Sequence, residues 1–142
     1  MAGSGVASVS AARLFRVIVP VPDVRAGVQF YSAVLGVPGE RVSPGRHYYD
    51  CGGTILAVVS EGHHLPGTFR PNPDQIYLSV PDLEAALERV KAAGPGRLDV
   101  PDQEPGVAWR AWGERSFYAE DPFGNPLCFV EAGTEFTSLA RP

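Results

Sequence analysis

An internal repeat constrains the fold of this chain more than any other feature of its sequence. Residues Arg16–Asp23 and Gln75–Asp82 align at an offset of 59 positions, and each segment reads as a strand ending in Val-Pro-Asp. Asp beside Pro favours a helix start, because the Asp side chain accepts hydrogen bonds from backbone N–H groups of the first turn. Each half of the chain is therefore predicted to begin with a strand and a helix.

The predicted helices also share their apolar stripe and their ends. The stripe residues are Val24, Val28 and Tyr31, with Leu35 one turn further, in the first helix and Leu83, Leu87 and Val90 in the second. Gly36 and Gly94 follow at the positions where a left-handed residue ends a helix. We expect Val28 and Leu87 to be equivalent buried positions.

A second match, at an offset of 71, places a turn before a strand in each half. Asp50–Gly53 precedes the first of these strands, and Asp121–Gly124 precedes the second. The two offsets differ by 12 residues, which fall in the longer segment between Gly94 and Arg115. Each half thus reads as a strand, a helix and then a run of strands with a hairpin.

The 142 residues suit a single domain. We expect a flexible N-terminal tail (1–12), one domain (13–132) and a C-terminal tail (133–142). Within the domain, module 1 spans about 13–61 and module 2 about 73–132, joined by a linker (61–72) rich in Gly and Pro.

The composition excludes several classes of partner. A formal net charge of −4 without a basic stripe argues against nucleic acid. No apolar run approaches the roughly 20 residues that cross a bilayer, so no membrane partner is expected. Cys51 and Cys128 are too few for a disulfide framework, and the N-terminus does not read as a secretory signal. We expect a cytoplasmic protein.

Strand alternation assigns the faces of the sheets. Val17, Val19 and Val21 should lie under the helices, as should Ile76, Leu78 and Val80. Arg16 and Ile18, with Gln75, Tyr77 and Ser79, should lie on the opposite face, which we call the concave face. At an offset of 71, His47 and Tyr49 align with Tyr118 and Glu120, so all four are predicted to share it.

Several strings together resemble the vicinal oxygen chelate family, which includes glyoxalase, bleomycin-resistance and ring-cleaving dioxygenase relatives. They are Arg16–Asp23, Phe30–Gly36 (FYSAVLG), Trp112-Gly113, Arg115–Tyr118 and Asp121–Asn125 (DPFGN), and the resemblance covers about Leu14 to Glu131. It implies an α+β fold in which two βαβββ modules curl around a shared cavity, with helices on the outer face. It also implies a homodimer.

The resemblance bears on metal binding as well. The resemblance implies that the four metal-ligand positions of metal-dependent relatives correspond to Arg16, Ala57, Gln75 and Cys128 in this sequence. Arg16 is a permanent cation and Ala57 has no ligating atom. Gln75 and Cys128 alone make a poor site. We therefore expect no metal and no cofactor.

Arg16, Gln75 and Tyr77 are the first candidate ligand-binding residues. Arg16 could offer paired donors to a ligand carboxylate or phosphate, or it could pair internally with Glu120. Gln75 and Tyr77 could orient a polar ligand or belong to an internal polar network.

Further candidates lie on other predicted strands. Cys128 reads as a reactive thiol or as a small buried apolar residue. His47 could accept a proton near it or simply be hydrogen-bonded, and Tyr49 and Tyr118 share the predicted face. Trp109 and Trp112 could stack on a planar ligand or form a packed lid. His63 and His64 read as solvated loop residues.

Three functions are compatible with these features. The first is metal-independent binding of a small organic molecule in an internal cavity, with no catalytic residue assigned. The second is a lyase, isomerase or dioxygenase-type enzyme with a non-standard metal site or none. The third is a dimerisation scaffold, which leaves the polar residues of the concave face without a role. The first is the function predicted here.

Overall fold

The computed structural model describes residues 9–137, which form two βαβββ modules of an α+β fold. Module 1 contains β1 (Arg16–Pro20), α1 (Val24–Leu35), β2 (Glu40–Ser43), β3 (Arg46–Cys51) and β4 (Thr54–Val59). Module 2 contains β5 (Ile76–Val80), α2 (Leu83–Ala93), β6 (Ala108–Trp109), β7 (Arg115–Glu120) and β8 (Pro126–Glu131). The first sheet has the order β1-β4-β3-β2 and the second β5-β8-β7-β6. The predicted fold class and repeat are confirmed.

The ends of both helices follow the sequence signals. The side chain of Asp23 accepts a hydrogen bond from Arg25 N at the start of α1. Asp82 accepts one from Ala85 N at the start of α2. Gly36 and Gly94 end the helices with φ of 72° and 85°, a conformation that glycine adopts without steric cost.

The two modules share one hydrophobic core. It contains helix-facing residues of both sheets, such as Val19 and Val58 of the first and Phe117 and Phe129 of the second, together with the inner faces of both helices. Within residues 9–137, no side chain of the concave faces belongs to this core, and the two sheets are not closed around a common cavity. Both helices lie on the side of their sheet opposite the concave face, as expected, and they also contact each other within the shared core.

The buried stripe of α1 is rotated relative to the predicted one. Its buried residues are Gly27, Phe30, Tyr31 and Val34, whereas Val28 is only half-buried. A Cβ on Gly27 would lie 2.7 Å from a methyl group of Val58, so this glycine lets the helix approach β4 closely. In α2, Leu87 is half-buried and packs against the core, while Leu83, Ala86 and Val90 are buried. Neither Val28 nor Leu87 is fully buried as predicted, and of the two only Leu87 is among the residues packed against the core.

The placement of His47 and Tyr49 on the concave face is also wrong. They pair with Val58 and Leu56, whose side chains belong to the helix-facing core. The reason is a difference in hairpin length: residues 51–54 separate Asp50 from its partner Ile55, whereas residues 121–125 separate Glu120 from Pro126. Because the second hairpin is one residue longer, strand residues before the hairpins correspond at an offset of 70, whereas those after them correspond at 71. Side chains alternate between faces at every residue, so an error of one position assigns the wrong face. Tyr48, not Tyr49, is the equivalent of Tyr118.

A buried polar cluster joins the modules at the turn between β7 and β8. Asp121 is fully buried, and its carboxylate accepts hydrogen bonds from Phe123 N, Asn125 N and Asn125 Nδ2 as well as from the Tyr31 hydroxyl. Asn125 Nδ2 also donates to Pro20 O at the end of β1, and Asn125 Oδ1 accepts from Asn72 N in the linker. The second βββ unit is thereby fixed against the first strand and first helix.

The predicted tails lie partly outside the described residues, which begin at 9 and end at 137. Residues 133–137 are attached to the second sheet: Thr134 Oγ1 accepts a hydrogen bond from Arg115 N, and Phe136 N donates one to Glu114. The segment predicted to begin a tail therefore packs on the domain. Within residues 9–137, no helix is both long and apolar enough to cross a membrane.

Candidate ligand-binding cleft

A cleft of about 480 Å³ opens on the concave face of the second sheet. Its floor is formed by β5 and β8, which pair in parallel and bring Ser79 beside Val130. Its walls come from the turn before β7 and from the segment after β8. The polar and aromatic lining residues are Tyr77, Ser79, Trp112, Glu114, Glu135 and Phe136.

Hydrogen bonds hold the two carboxylates of this cleft in place. Glu135 Oε2 accepts from Ser79 Oγ at 2.5 Å, and its Oε1 accepts from Gly133 N at 2.6 Å. Glu114 Oε1 accepts from Trp112 Nε1 at 2.9 Å, and its Oε2 accepts from Phe136 N at 2.8 Å. The hydrogen bond from Ser79 lowers the pKa of Glu135 below its ordinary value, so Glu135 is ionised at neutral pH.

Tyr77, Tyr118 and Cys128 lie together on the same face of the sheet. Cys128 pairs with Tyr77 on one side and Tyr118 on the other, so the three side chains are neighbours. Burial raises the pKa of Cys128 to about 11 and that of Tyr118 to about 12. Both groups are therefore protonated at neutral pH, and the Cys128 thiol is a weak nucleophile.

Arg110 is a buried cation beside this cluster. Its Nε donates to Ser116 Oγ, Nη1 to Glu104 O, and Nη2 to Gly106 O and Ser116 O. The guanidinium carbon lies 4.9 Å from the centre of the Tyr118 ring, a cation–π arrangement. Arg110 thus fastens residues 104–106 to β7.

Arg16 lies on the concave face of the first sheet. Its guanidinium carbon is 5.0 Å from the ring centres of both Phe15 and Tyr48. Within residues 9–137, no carboxylate forms an ion pair with Arg16. Its suggested partner Glu120 belongs to the second sheet, so that pairing is not formed. Gln75 lies immediately before β5 and is half-buried.

The tryptophans are separated by the strand register. Trp109 pairs with Arg115, whose side chain reaches Glu84 of α2 and Glu131, so Trp109 lies on the helix-facing side at the sheet edge. Trp112 lines the cleft. The sequence alone did not indicate which of the two tryptophans lines the cleft.

The three histidines lie away from the cleft. His47 Nε2 is 2.8 Å from Pro38 O, and its Nδ1 accepts from Arg41 Nε at 3.3 Å, while the Tyr49 hydroxyl is 2.8 Å from Ser32 Oγ. These contacts brace the connection between α1 and β2. In the linker, His63 packs edge-on against Phe69, and His64 Nδ1 lies 3.2 Å from Ser60 O.

Sequence reasoning missed Ser79, Glu114, Glu135, Phe136 and Arg110 as site residues. Ser79 had a usable signal, because it alternates with Tyr77 along β5. Glu114, Glu135 and Phe136 lie outside regular strands, where no periodicity predicts the direction of a side chain. Arg110 had no signal beyond its position between two tryptophans.

The model of the Glyoxalase/Bleomycin resistance protein/Dioxygenase superfamily matches residues 13–129 of this chain. The chain belongs to this superfamily. A glyoxalase-related enzyme from Fulvimarina pelagi shares 21% identity over 84% of this chain and 87% of its own, with a TM-score of 0.65. A superfamily protein from Nocardioides shares 21% identity over 92% and 91% of the two chains, with a TM-score of 0.60.

A glyoxalase/bleomycin resistance protein from Albidiferax ferrireducens T118 is similar too, at 21% identity over 82% of this chain and 96% of that one, with a TM-score of 0.63. At such identities the likeness to these superfamily structures concerns the fold. No protein with curated annotation matches the chain significantly.

The residues at the superfamily's metal positions do not fit a divalent ion here. Arg16 on β1 carries a fixed positive charge, and Ala57 on β4 is fully buried without a donor atom. Burial holds the Cys128 thiol in its protonated form, which is a poor ligand. Within residues 9–137, no group of three His, Cys, Asp or Glu side chains is placed to hold a metal.

Proposed function

We propose that this chain binds a small organic molecule in the cleft of the second sheet, without a metal at the superfamily's usual ligand positions. The observation that carries the proposal is the cleft itself, with a volume of about 480 Å³ and a mixture of aromatic walls and fixed polar groups. Clefts of roughly 300–1,000 Å³ with such linings are typical of small-molecule sites.

Binding rather than covalent chemistry is favoured by the protonation states in and beside the cleft. Burial raises the pKa of both Cys128 and Tyr118 far above neutrality, so neither is poised as a nucleophile or base. His47, which sequence reasoning considered as a proton acceptor, lies on the helix-facing side of the other sheet. No residue is therefore assigned a catalytic role.

The proposal is tested by screening neutral, anionic and cationic small molecules for an increase in melting temperature, in buffer containing EDTA. A ligand that binds only the native state raises its stability by mass action. Compounds that stabilise the protein are then titrated against Trp112→Ala and the matched control Trp109→Ala. Truncating a large aromatic contact should weaken binding by about tenfold or more, and the control should bind normally.

Two results would contradict the proposal. One is a set of ligands whose affinity is insensitive to Trp112→Ala. The other is binding that disappears in EDTA and returns with one particular divalent ion.

We also propose that the protein is a homodimer. Leu14, Phe15 and Ile18 are exposed by 72%, 50% and 40%; Leu14 and Phe15 directly precede β1, and Ile18 belongs to β1, an edge strand of the first sheet. Adjacent exposed apolar side chains beside a sheet edge are typical of surfaces that associate.

A further inference from the structure

Two carboxylates line the cleft, and neither forms an ion pair with a cation of the described residues. Glu114 and Glu135 are both half-buried. Their hydrogen-bond donors are an indole, a hydroxyl and two backbone N–H groups, all of them neutral. Within residues 9–137, neither carboxylate takes part in an ion pair. The fixed donors orient the carboxylates but leave their charge uncompensated.

Two nearby arginines are engaged elsewhere. Arg115 follows Glu114 in sequence, but its guanidinium bonds to Glu84 and Glu131 on the helix-facing side of the sheet. Arg110 bonds to the hydroxyl and carbonyl of Ser116 and to two loop carbonyls. Arg115 is therefore paired with other carboxylates, whereas Arg110 bonds only to neutral acceptors and keeps its charge beside Tyr118 and Cys128.

Aromatic rings complete the walls around these carboxylates. Tyr77, Trp112 and Phe136 remain exposed by 54%, 44% and 63% while lining the cleft. Aromatic faces attract cations through their quadrupole, and carboxylates attract them by charge. An anion would meet repulsion from both carboxylates, whereas an organic cation is attracted by the carboxylates and by the aromatic rings.

We propose that the cleft selects organic cations in which a protonated amine or quaternary ammonium group adjoins an aromatic or apolar body. The ammonium group would lie between Glu114 and Glu135, and the apolar body against Tyr77, Trp112 and Phe136. This inference rests on the proposed function and adds the charge class of its ligand.

The test compares three probes with the same ring system: 1-naphthylmethyl-trimethylammonium, 1-naphthylmethanol and 1-naphthaleneacetate. Each is titrated into the purified full-length protein at low and at high salt. The cation should bind more tightly than the neutral probe by about fivefold for each carboxylate it approaches at ~4 Å. Added salt should weaken binding of the cation and leave the affinity for the neutral probe unchanged.

Glu114→Gln and Glu135→Gln should each lower affinity for the cation severalfold and leave the neutral probe unaffected. Glu40→Gln, which removes the same charge from β2 of the other module, is the matched control and should bind all probes normally. The salt comparison uses the unaltered protein, so the inference stays testable if a Gln variant is unstable.

The outcomes separate the two proposals. If the neutral or anionic probe binds as tightly as the cation, and Trp112→Ala weakens it, the cleft binds small molecules but the charge class is wrong. If none of the probes binds and a wider library gives no ligand sensitive to Trp112→Ala, the proposed function fails and this inference fails with it.

Discussion

The hydroxyl of Tyr31 donates a hydrogen bond of 2.7 Å to Asp121 Oδ2, although the two residues are 90 positions apart in the chain. Tyr31 belongs to α1 and Asp121 to the turn between β7 and β8, so this bond links the modules within the buried interior. Burial and the adjacent Asp121 carboxylate hold the pKa of Tyr31 well above its ordinary value, so the hydroxyl remains a donor at neutral pH.

Replacing Tyr31 by Phe should lower the free energy of unfolding by about 1.5–3 kcal/mol, because a buried carboxylate loses one of its donors. Urea denaturation measures the change. Tyr48→Phe is the control: its hydroxyl bonds to Arg46 on the less buried concave face, and the loss should be below about 1 kcal/mol. Equal losses in the two variants would contradict the importance of the link between modules.

Replacing Arg16 by Met should leave the protein folded and lower its free energy of unfolding by no more than about 2 kcal/mol. Arg16 is exposed and contacts the rings of Phe15 and Tyr48, and exposed cation–π contacts contribute about 0.5–1 kcal/mol. A loss of several kcal/mol in denaturant melts would contradict the exposed position of Arg16. Titration with aromatic carboxylates, with and without the change, tests whether Arg16 anchors an anionic ligand.

Ionisation of Cys128 should destabilise the protein at alkaline pH. Burial raises its pKa from 9.0 to about 11, so the folded state holds the thiol proton more tightly than the unfolded state. The stabilisation is complete below pH 9 and disappears as the pH rises toward 11. Unfolding free energies measured across this range should fall less steeply for Cys128→Ala than for the unaltered chain. If the unfolding free energies of the two proteins changed with pH in parallel, the Cys128 thiol would not be desolvated in the folded state.

Sedimentation equilibrium at micromolar concentration should give the mass of a dimer. Replacing Ile18 by Lys places a charge on the exposed face of β1 and should shift the population toward monomer, because an association surface disfavours an unpaired charge. Val9→Lys is a suitable control, since Val9 is exposed but precedes the first strand. A monomer at every concentration would contradict the proposed dimer.

The sequence predicted the elements that depend on local chemistry. Asp23 and Asp82 begin the helices, and Gly36 and Gly94 end them, because caps are decided by residues within one turn. Alternation along β1 also assigned Arg16 and Val19 to opposite faces, since both lie in the same uninterrupted strand.

Predictions failed where an assignment crossed a loop or depended on how two elements approach. The faces of His47 and Tyr49 were inferred across a hairpin whose length differs by one residue from its counterpart, and the difference reverses their direction. Val28 has the spacing of a core residue. However, α1 approaches β4 closely at Gly27, and this orientation of the helix turns Val28 partly away from the core. Glu114 and Glu135 depend on loop conformations that no sequence period encodes.

The separation of the concave faces from the shared core bears on how readily this chain tolerates change. A substitution at Tyr77, Trp112 or Glu114 alters the cleft without removing a side chain from between the helices and sheets. Specificity could therefore diversify under selection while the folded state keeps its stability margin. In that sense the same scaffold is evolvable, because mutations that change the preferred ligand need no compensating mutations in the interior.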